Sequence, residues 1–282
     1  MKRLLLFVFI GTFVFFSCRR HDSQNESQFQ STVLEYNVHY GNHPQQTMDV
    51  YIPAGVRDTM GLIVLVHGGS WYQRDKSDFA PWFDYERGLA RYAVININYR
   101  LDTPTAPPVP QQTDDIASAI DALNSKYNFP ANRIILFGLS SGSHISSLYA
   151  YRYANPQHIK GVINFVGPVD FNDPQYHTPG HWQYIFTGIE YIFNHPYQGN
   201  ENYYAGVSPY HYINASTPPS ILFYGGADTL VPPTQGQRLH ARLDSAGVEN
   251  EFYLYPNSGH IFNNADGWDA AQKAQNFILR HL

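Results

Sequence analysis

Ile134-Ile135-Leu136-Phe137-Gly138-Leu139-Ser140-Ser141-Gly142-Ser143-His144 is the stretch on which the reading of this chain turns. An apolar, β-branched run stops at Gly138, and a helix-compatible run begins at Ser140. Between them lies G-x-S-x-G. The spacing predicts a sharp strand-to-helix turn that forces the central residue into a strained conformation and leaves no room for a Cβ on either flank. The serine hydroxyl then stands above the end of a sheet, where the following helix aims its N–H groups and positive dipole end. Only Ser140 fits the centre, because a pattern centred on Ser141 would need glycine at Leu139 and Ser143. The plainer alternative is an ordinary Gly/Ser turn.

Outward from that turn the chain alternates. Val33 to Tyr40 and Met48 to Pro53 read as a leading antiparallel pair. Leu62-Ile63-Val64-Leu65-Val66 is the continuous apolar run of a strand covered on both faces. Tyr92–Tyr99, Gly161–Val166, Ser220–Tyr224 and Glu251–Tyr255 are further strands, and Thr103 to Pro110 is a Pro-rich loop. Thr113–Lys126 has helical spacing, with Ile116, Ala119, Ile120 and Leu123 on one face; Ser140–Tyr153, Thr234–Ser245 and Asp269–Leu282 are also helical. The alternation predicts an α/β fold, a mostly parallel central sheet with helices on both faces. Asp170 to Thr217 breaks the pattern. It is too long for a plain crossover and carries Trp182, Tyr184, Phe186, Tyr191, Phe193, Tyr203 and Tyr204. It reads as a cap, about residues 170–217, with ordinary helical packing at the sheet edge as the alternative.

With 282 residues and 43% hydrophobic content the chain can bury a sizeable core. A net charge of −5 gives no electrostatic reason to expect nucleic acid. Aromatic content of 16%, including 22 Tyr, is the unusual feature, and such side chains serve both cores and recognition surfaces. The single cysteine is Cys18. Met1-Lys2-Arg3 is a positive start, and Leu4 to Phe16 is nearly all apolar but shorter than the about 18 to 20 residues of a spanning helix. This end resembles a bacterial lipoprotein signal. Residues 1–18 would be the signal, with Cys18 as the lipidated mature terminus that anchors the chain to a membrane. An ordinary secretory signal with an incidental cysteine is the alternative. Arg19 to Ser31 is polar and reads as a tether, leaving 32–282 as the folded domain.

A serine nucleophile needs a base, and the base an orienting acid. Asp228 leaves the strand ending at Tyr224 through Gly225-Gly226-Ala227, and His260 follows Tyr255-Pro256-Asn257-Ser258-Gly259. The carboxyl ends of parallel strands converge on one crevice, so these loops can meet above Ser140. Among 13 histidines, His240 and His281 fall inside helical runs; the rival acids Asp244 and Glu249 lie mid-helix and before a strand. His67-Gly68-Gly69-Ser70-Trp71 follows the strand ending at Val66. Its bare backbone suits an oxyanion hole made by the N–H groups of Gly68, Gly69 and Ser141, with His67 fixing the loop.

The set His67-Gly68-Gly69-Ser70-Trp71, Asn98-Tyr99-Arg100-Leu101, Gly138-Leu139-Ser140-Ser141-Gly142, Gly226-Ala227-Asp228 and Ser258-Gly259-His260 resembles the esterase branch of the α/β-hydrolase superfamily. Within that branch the chain is similar to bacterial feruloyl/acetyl-esterase-like carboxylesterases, with kynurenine-formamidase-like enzymes close by. The resemblance covers residue 46 onward, apart from the aromatic insertion. It implies the α/β-hydrolase fold and hydrolysis of a small-molecule or carbohydrate acyl ester by Ser140, His260 and Asp228, with no metal and no organic cofactor. Trp71, Trp182, Tyr184, Tyr191 and Tyr203 are the expected substrate contacts. Amide, peptide or formamide hydrolysis on the same residues, and a non-catalytic glycan-binding surface lipoprotein, are the competing readings.

Overall fold

The computed structural model describes residues 28–29, 31–56, 58–101 and 107–282. The expected signal with Cys18, and most of the expected tether, lie outside those residues. Gln28–Phe29, inside the expected tether, pairs antiparallel with Gly55–Val56.

Eight strands form the main sheet: β1 (Val33–His39), β2 (Thr47–Ile52), β3 (Leu62–Val66), β4 (Ala93–Ile97), β5 (Ile134–Leu139), β6 (Ile159–Phe165), β7 (Ser220–Gly225) and β8 (Asn250–Tyr255). Their order is β8-β7-β6-β5-β3-β4-β2-β1. β3 to β8 are mutually parallel, whereas β1 pairs antiparallel with β2, and β2 with β4. The mostly parallel sheet with helices on both faces, expected from the alternation, is the one observed, and it fits the α/β-hydrolase fold that the resemblance implies.

Period two explains the layering. Every residue of β3 is fully buried; Leu62, Val64 and Val66 face one core while Ile63 and Leu65 face the other. The first core is covered by α2 (Pro108–Tyr127), α3 (Ser141–Leu148) and α7 (Thr234–Ser245). Ile116, Ala119, Ile120 and Leu123 supply the buried stripe of α2, as their spacing predicts. The second core lies under α1 (Ala80–Leu89) and α8 (Asn264–His281). α1 has no counterpart among the expected elements. Of its ten residues only Phe83 and Glu86 are buried, too few to give a readable period. The helix expected to run to Tyr153 is regular only to Leu148, and Tyr149–Tyr153 continue as a wider π turn closed by Ala154 N–H to the Tyr149 carbonyl.

The strand order places β3 between β4 and β5, so the chain leaves β3 toward one side and returns on the other. Ligands in open α/β sheets bind at such a switch point, outside the carboxyl ends of the strands. Residues 170–217 form α4 (Pro174–His177), α5 (His181–Phe193), α6 (Glu201–Gly206) and a 3₁₀ turn at Pro209–Tyr212. Phe186, Ile189, Phe193 and Tyr204 of this segment are buried in the first core.

Candidate active site

Ser140 occupies the turn between β5 and α3 with φ 55° and ψ −121°, outside the regions an L-residue prefers. Strain of this kind costs about 1–3 kcal/mol and persists only where the surroundings enforce it. Here the Ser140 N–H is held by the Phe165 carbonyl (2.8 Å), and the Ser140 carbonyl accepts from His144 N–H (3.1 Å). A Cβ on Gly142 would fall 2.2 Å from the Val66 carbonyl oxygen, so only glycine lets α3 pack against the end of β3.

His260 stands between the other two groups. The Ser140 hydroxyl donates to Nε2 of His260 at 2.9 Å, and His260 Nδ1–H donates to Oδ2 of Asp228 at 2.8 Å. The Asp228 side chain is fully buried, and its Oδ1 accepts the N–H groups of Leu230 (2.7 Å) and Val231 (3.0 Å). The two loops are sewn together: Gly226 N–H meets the Tyr255 carbonyl at 2.8 Å, and Ala227 N–H meets that of Ser258 at 2.9 Å. Ser258 Oγ and Asn263 Nδ2 both bind Oδ2 of Asp266, which ties the His260 loop to the start of α8. A serine, an imidazole and a buried carboxylate in this chain can pass one proton from hydroxyl to ring and stabilise the resulting imidazolium.

The loop after β3 runs beside the nucleophile. A Cβ on Gly68 would lie 2.9 Å from the Leu139 carbonyl oxygen and 3.2 Å from Cβ of Ser140. Gly69 has φ 123°, and a Cβ there would meet the Gln73 carbonyl oxygen at 2.0 Å. Ser141 is the first residue of α3, where N–H groups have no partner within the helix. Gly68 thus packs directly against the Ser140 turn, Gly69 follows it in the same loop, and Ser141 opens the helix next to the nucleophile. His67 holds the loop from within: its Nδ1–H donates to the Gly68 carbonyl (2.6 Å), its ring stacks on Tyr99 at 4.3 Å, and Tyr99 OH donates to its carbonyl (2.8 Å). Burial pushes the His67 pKa down, against the pull of that backbone bond.

The Asn98-Tyr99-Arg100-Leu101 segment braces this loop. Asn98 Oδ1 accepts Lys76 N–H (2.6 Å), Arg100 forks onto the buried Asp115, and Gln112 Nε2 donates to the carbonyls of Trp71 (2.7 Å) and Arg100 (2.9 Å). His144, the last residue of the strand–turn–helix stretch around Ser140, ties three segments together. Its Nδ1 accepts Trp71 Nε1–H (3.0 Å) while its Nε2–H donates to the Val207 carbonyl (2.7 Å), linking the loop after β3, α3 and the insertion. Complete burial pushes its pKa down to about 4, which keeps this acceptor neutral.

Ser140 opens into a cleft of about 190 Å³. Trp71 and Ser141 line it, together with Tyr72, Tyr176, Leu230 and Val231. Its roof is α5, through Ile185, Gly188, Ile189 and Ile192, one face at helical spacing. Four of the five aromatic residues expected to touch substrate do not line this cleft. Tyr184 and Tyr191 are 78% and 82% exposed. Trp182 packs beside the first core with its ring against His181, and Tyr203 stacks on His195 at 3.8 Å. The aliphatic face of α5 takes their place. Tyr176 was missed; it lines the cleft, and its buried hydroxyl has no hydrogen-bond partner among the described residues. Among the described residues no group of three or more His, Cys, Asp or Glu side chains is placed to hold a metal ion.

A model of the BD-FAE family matches residues 48–243. A probable isoprenylcysteine alpha-carbonyl methylesterase of Arabidopsis thaliana is 26% identical over 256 residues, covering 82% of this chain and 58% of that protein. Esterase LipC of Mycobacterium tuberculosis is 23% identical over 248 residues, covering 82% and 60%. The chain therefore spans about 60% of the length of these curated relatives. A truncated carbohydrate esterase from gut microbiota shares the fold, with a TM-score of 0.70 at 21% identity, covering 88% of this chain and 96% of that one. Matched by the family model over more than half its length, the chain belongs to the BD-FAE family of feruloyl esterase-like α/β-hydrolases.

Proposed function

We propose that the protein is a serine carboxylesterase for short-chain acyl esters. Ser140 Oγ attacks the ester carbonyl, and His260 Nε2 takes its proton and returns it to the leaving alcohol. Asp228 holds the ring and stabilises its charge. The N–H groups of Gly68, Gly69 and Ser141 bind the oxyanion, where one such donor contributes about 3 kcal/mol to the transition state. Water, activated by the same imidazole, then releases the acid from the acyl-enzyme. The observation that carries this reading is His260 bridging Ser140 and Asp228 at 2.9 and 2.8 Å. The acyl preference follows from size. Sites for drug-sized ligands span about 300–1,000 Å³, whereas the cleft at Ser140 holds about 190 Å³ beneath the aliphatic roof of α5. An acetyl to butyryl group suits it better than a feruloyl group.

The test is hydrolysis of p-nitrophenyl acetate, butyrate and ferulate beside an aminoacyl anilide. Ser140→Ala should lower kcat about 10⁶-fold, and a fluorophosphonate should label Ser140 alone. A variant that keeps more than a few per cent of the rate removes Ser140 from the mechanism.

Export rests on the sequence of the first 18 residues. Cys18→Ser should move the protein from the membrane fraction to the soluble one. One acyl chain binds only marginally, so the anchor requires more than one. Wild-type protein that is already soluble, with no added lipid mass, would make Cys18 part of a cleaved signal.

A further inference from the structure

A second concave site lies on the opposite layer of the molecule, between α1 and α8. It is a groove of about 570 Å³ lined by Trp82, Tyr85, Trp268, Gln272, Gln275 and Asn276, with no charged residue in its lining. Trp268 is 71% exposed and Tyr85 50%. Trp82 is held in place, edge-on to Phe137 at 4.9 Å and 5.8 Å from the Tyr85 ring. Two polar atoms of lining residues are buried without a hydrogen-bond partner, the donor Trp82 Nε1 and the acceptor Gln275 Oε1.

We infer that this groove binds a neutral glycan. The chemistry of the lining selects the class. Carboxamides donate and accept at once, matching the hydroxyl rim of a pyranose. Exposed indole and phenol faces offer broad flat surfaces for its C–H face. A phosphorylated or carboxylated ligand would meet no cation here, and an anionic membrane surface would find no basic cluster. The site is separate from the Ser140 cleft and works without catalysis. Both helices nevertheless start from loops of that cleft, α1 after the Gly68-Gly69 loop and α8 after His260.

The test is calorimetric titration of the Ser140→Ala protein with cellohexaose, xylohexaose and mannohexaose in turn. Binding is thereby read independently of ester hydrolysis. At least one hexaose should give saturable heat. Adding Trp268→Ala should weaken that binding about tenfold, as expected on losing one aromatic contact, with an unchanged melting temperature because the side chain is exposed. Tyr191→Ala, on the insertion, should leave it unchanged. No saturable binding to any of the three at millimolar concentration overturns the inference. So does binding that Tyr191→Ala abolishes and Trp268→Ala does not, which would move the glycan to the insertion. Self-association through this face that Trp268→Ala disperses would make the groove a protein interface and equally overturn it.

Discussion

Asp228 uses its two carboxylate oxygens for different tasks. Oδ1 pins its own loop by accepting from Leu230 and Val231, and Oδ2 faces His260 Nδ1. Asp228→Asn separates the two. An amide oxygen still accepts both N–H groups, so the loop should hold and the melting temperature should move by no more than a few degrees. The amide NH₂ facing Nδ1 turns the imidazole to the tautomer with hydrogen on Nε2, which cannot take the Ser140 proton. The loss in kcat should be about 10⁴-fold, smaller than for Ser140→Ala and without a matching loss of stability. A stability loss of several kcal/mol would show that the carboxylate mainly holds the loop. The position of Asp228 was legible because a strand-end acid has few places to go. The two-sided use of its carboxylate was not, since it depends on the turn made by residues 228–231.

α5 shows where sequence reasoning ran out. Outside a narrow polar stripe of Gln183, Thr187 and Glu190 it is apolar over a broad arc, so its period does not say which part of that arc faces the cleft. Trp182, Tyr184 and Tyr191 compete on paper with Ile185, Ile189 and Ile192, and only the docking of the helix on the first core chooses between them. Phe186, Ile189 and Phe193 are the residues that dock, which turns the isoleucine stripe inward and leaves Tyr184 and Tyr191 in solvent. The centre of the sheet, by contrast, was legible strand by strand: β3 is an unbroken apolar run and β4, β5 and β7 are nearly so, while the edge strand β8 keeps Asn250 and Glu251 among its aromatics. Gly188 makes the roof testable. It lines the cleft, and a Cβ built there meets nothing within 4 Å. Gly188→Ala should therefore stabilise the protein by about 0.5–1 kcal/mol, the usual gain in a helix interior, and leave acetate hydrolysis nearly unchanged. Gly188→Leu should extend into the space for the acyl chain and lower the butyrate-to-acetate ratio of kcat/KM about tenfold, a pocket effect of ordinary size. An unchanged ratio would mean that the acyl group lies elsewhere.

Across the whole molecule, two buried titratable groups sit on opposite layers with opposite signs. His144, on α3 in the first core layer, has its pKa pushed down by burial from 6.5 to about 4. Glu86, on α1 in the second layer, has its carboxyl pushed up by burial from 4.5 to about 7, opposed weakly by Arg91, and neither carboxyl oxygen has a partner. For His144 the unfolded chain binds a proton that the folded protein refuses, so its contribution to stability is intact above 6.5 and is lost as pH falls toward 4. For Glu86 the folded protein keeps a proton that the unfolded chain releases. Its contribution is intact below 4.5 and is lost as pH rises through about 7. Each slope approaches about 1.4 kcal/mol per pH unit, and between 4.5 and 6.5 the two run against each other. Removing either group should expose the other. Glu86→Gln should gain stability relative to wild type progressively as pH rises from 4.5 to about 7. His144→Gln, whose amide can still serve Trp71 and Val207, should gain relative to wild type as pH falls from 6.5 toward 4, on top of a constant packing loss. Urea unfolding of the three proteins across this range reads the two difference curves directly. Curves of opposite slope confirm that proton uptake on one layer balances proton refusal on the other. Curves parallel to wild type would mean that water reaches both groups and that neither titrates away from its ordinary range.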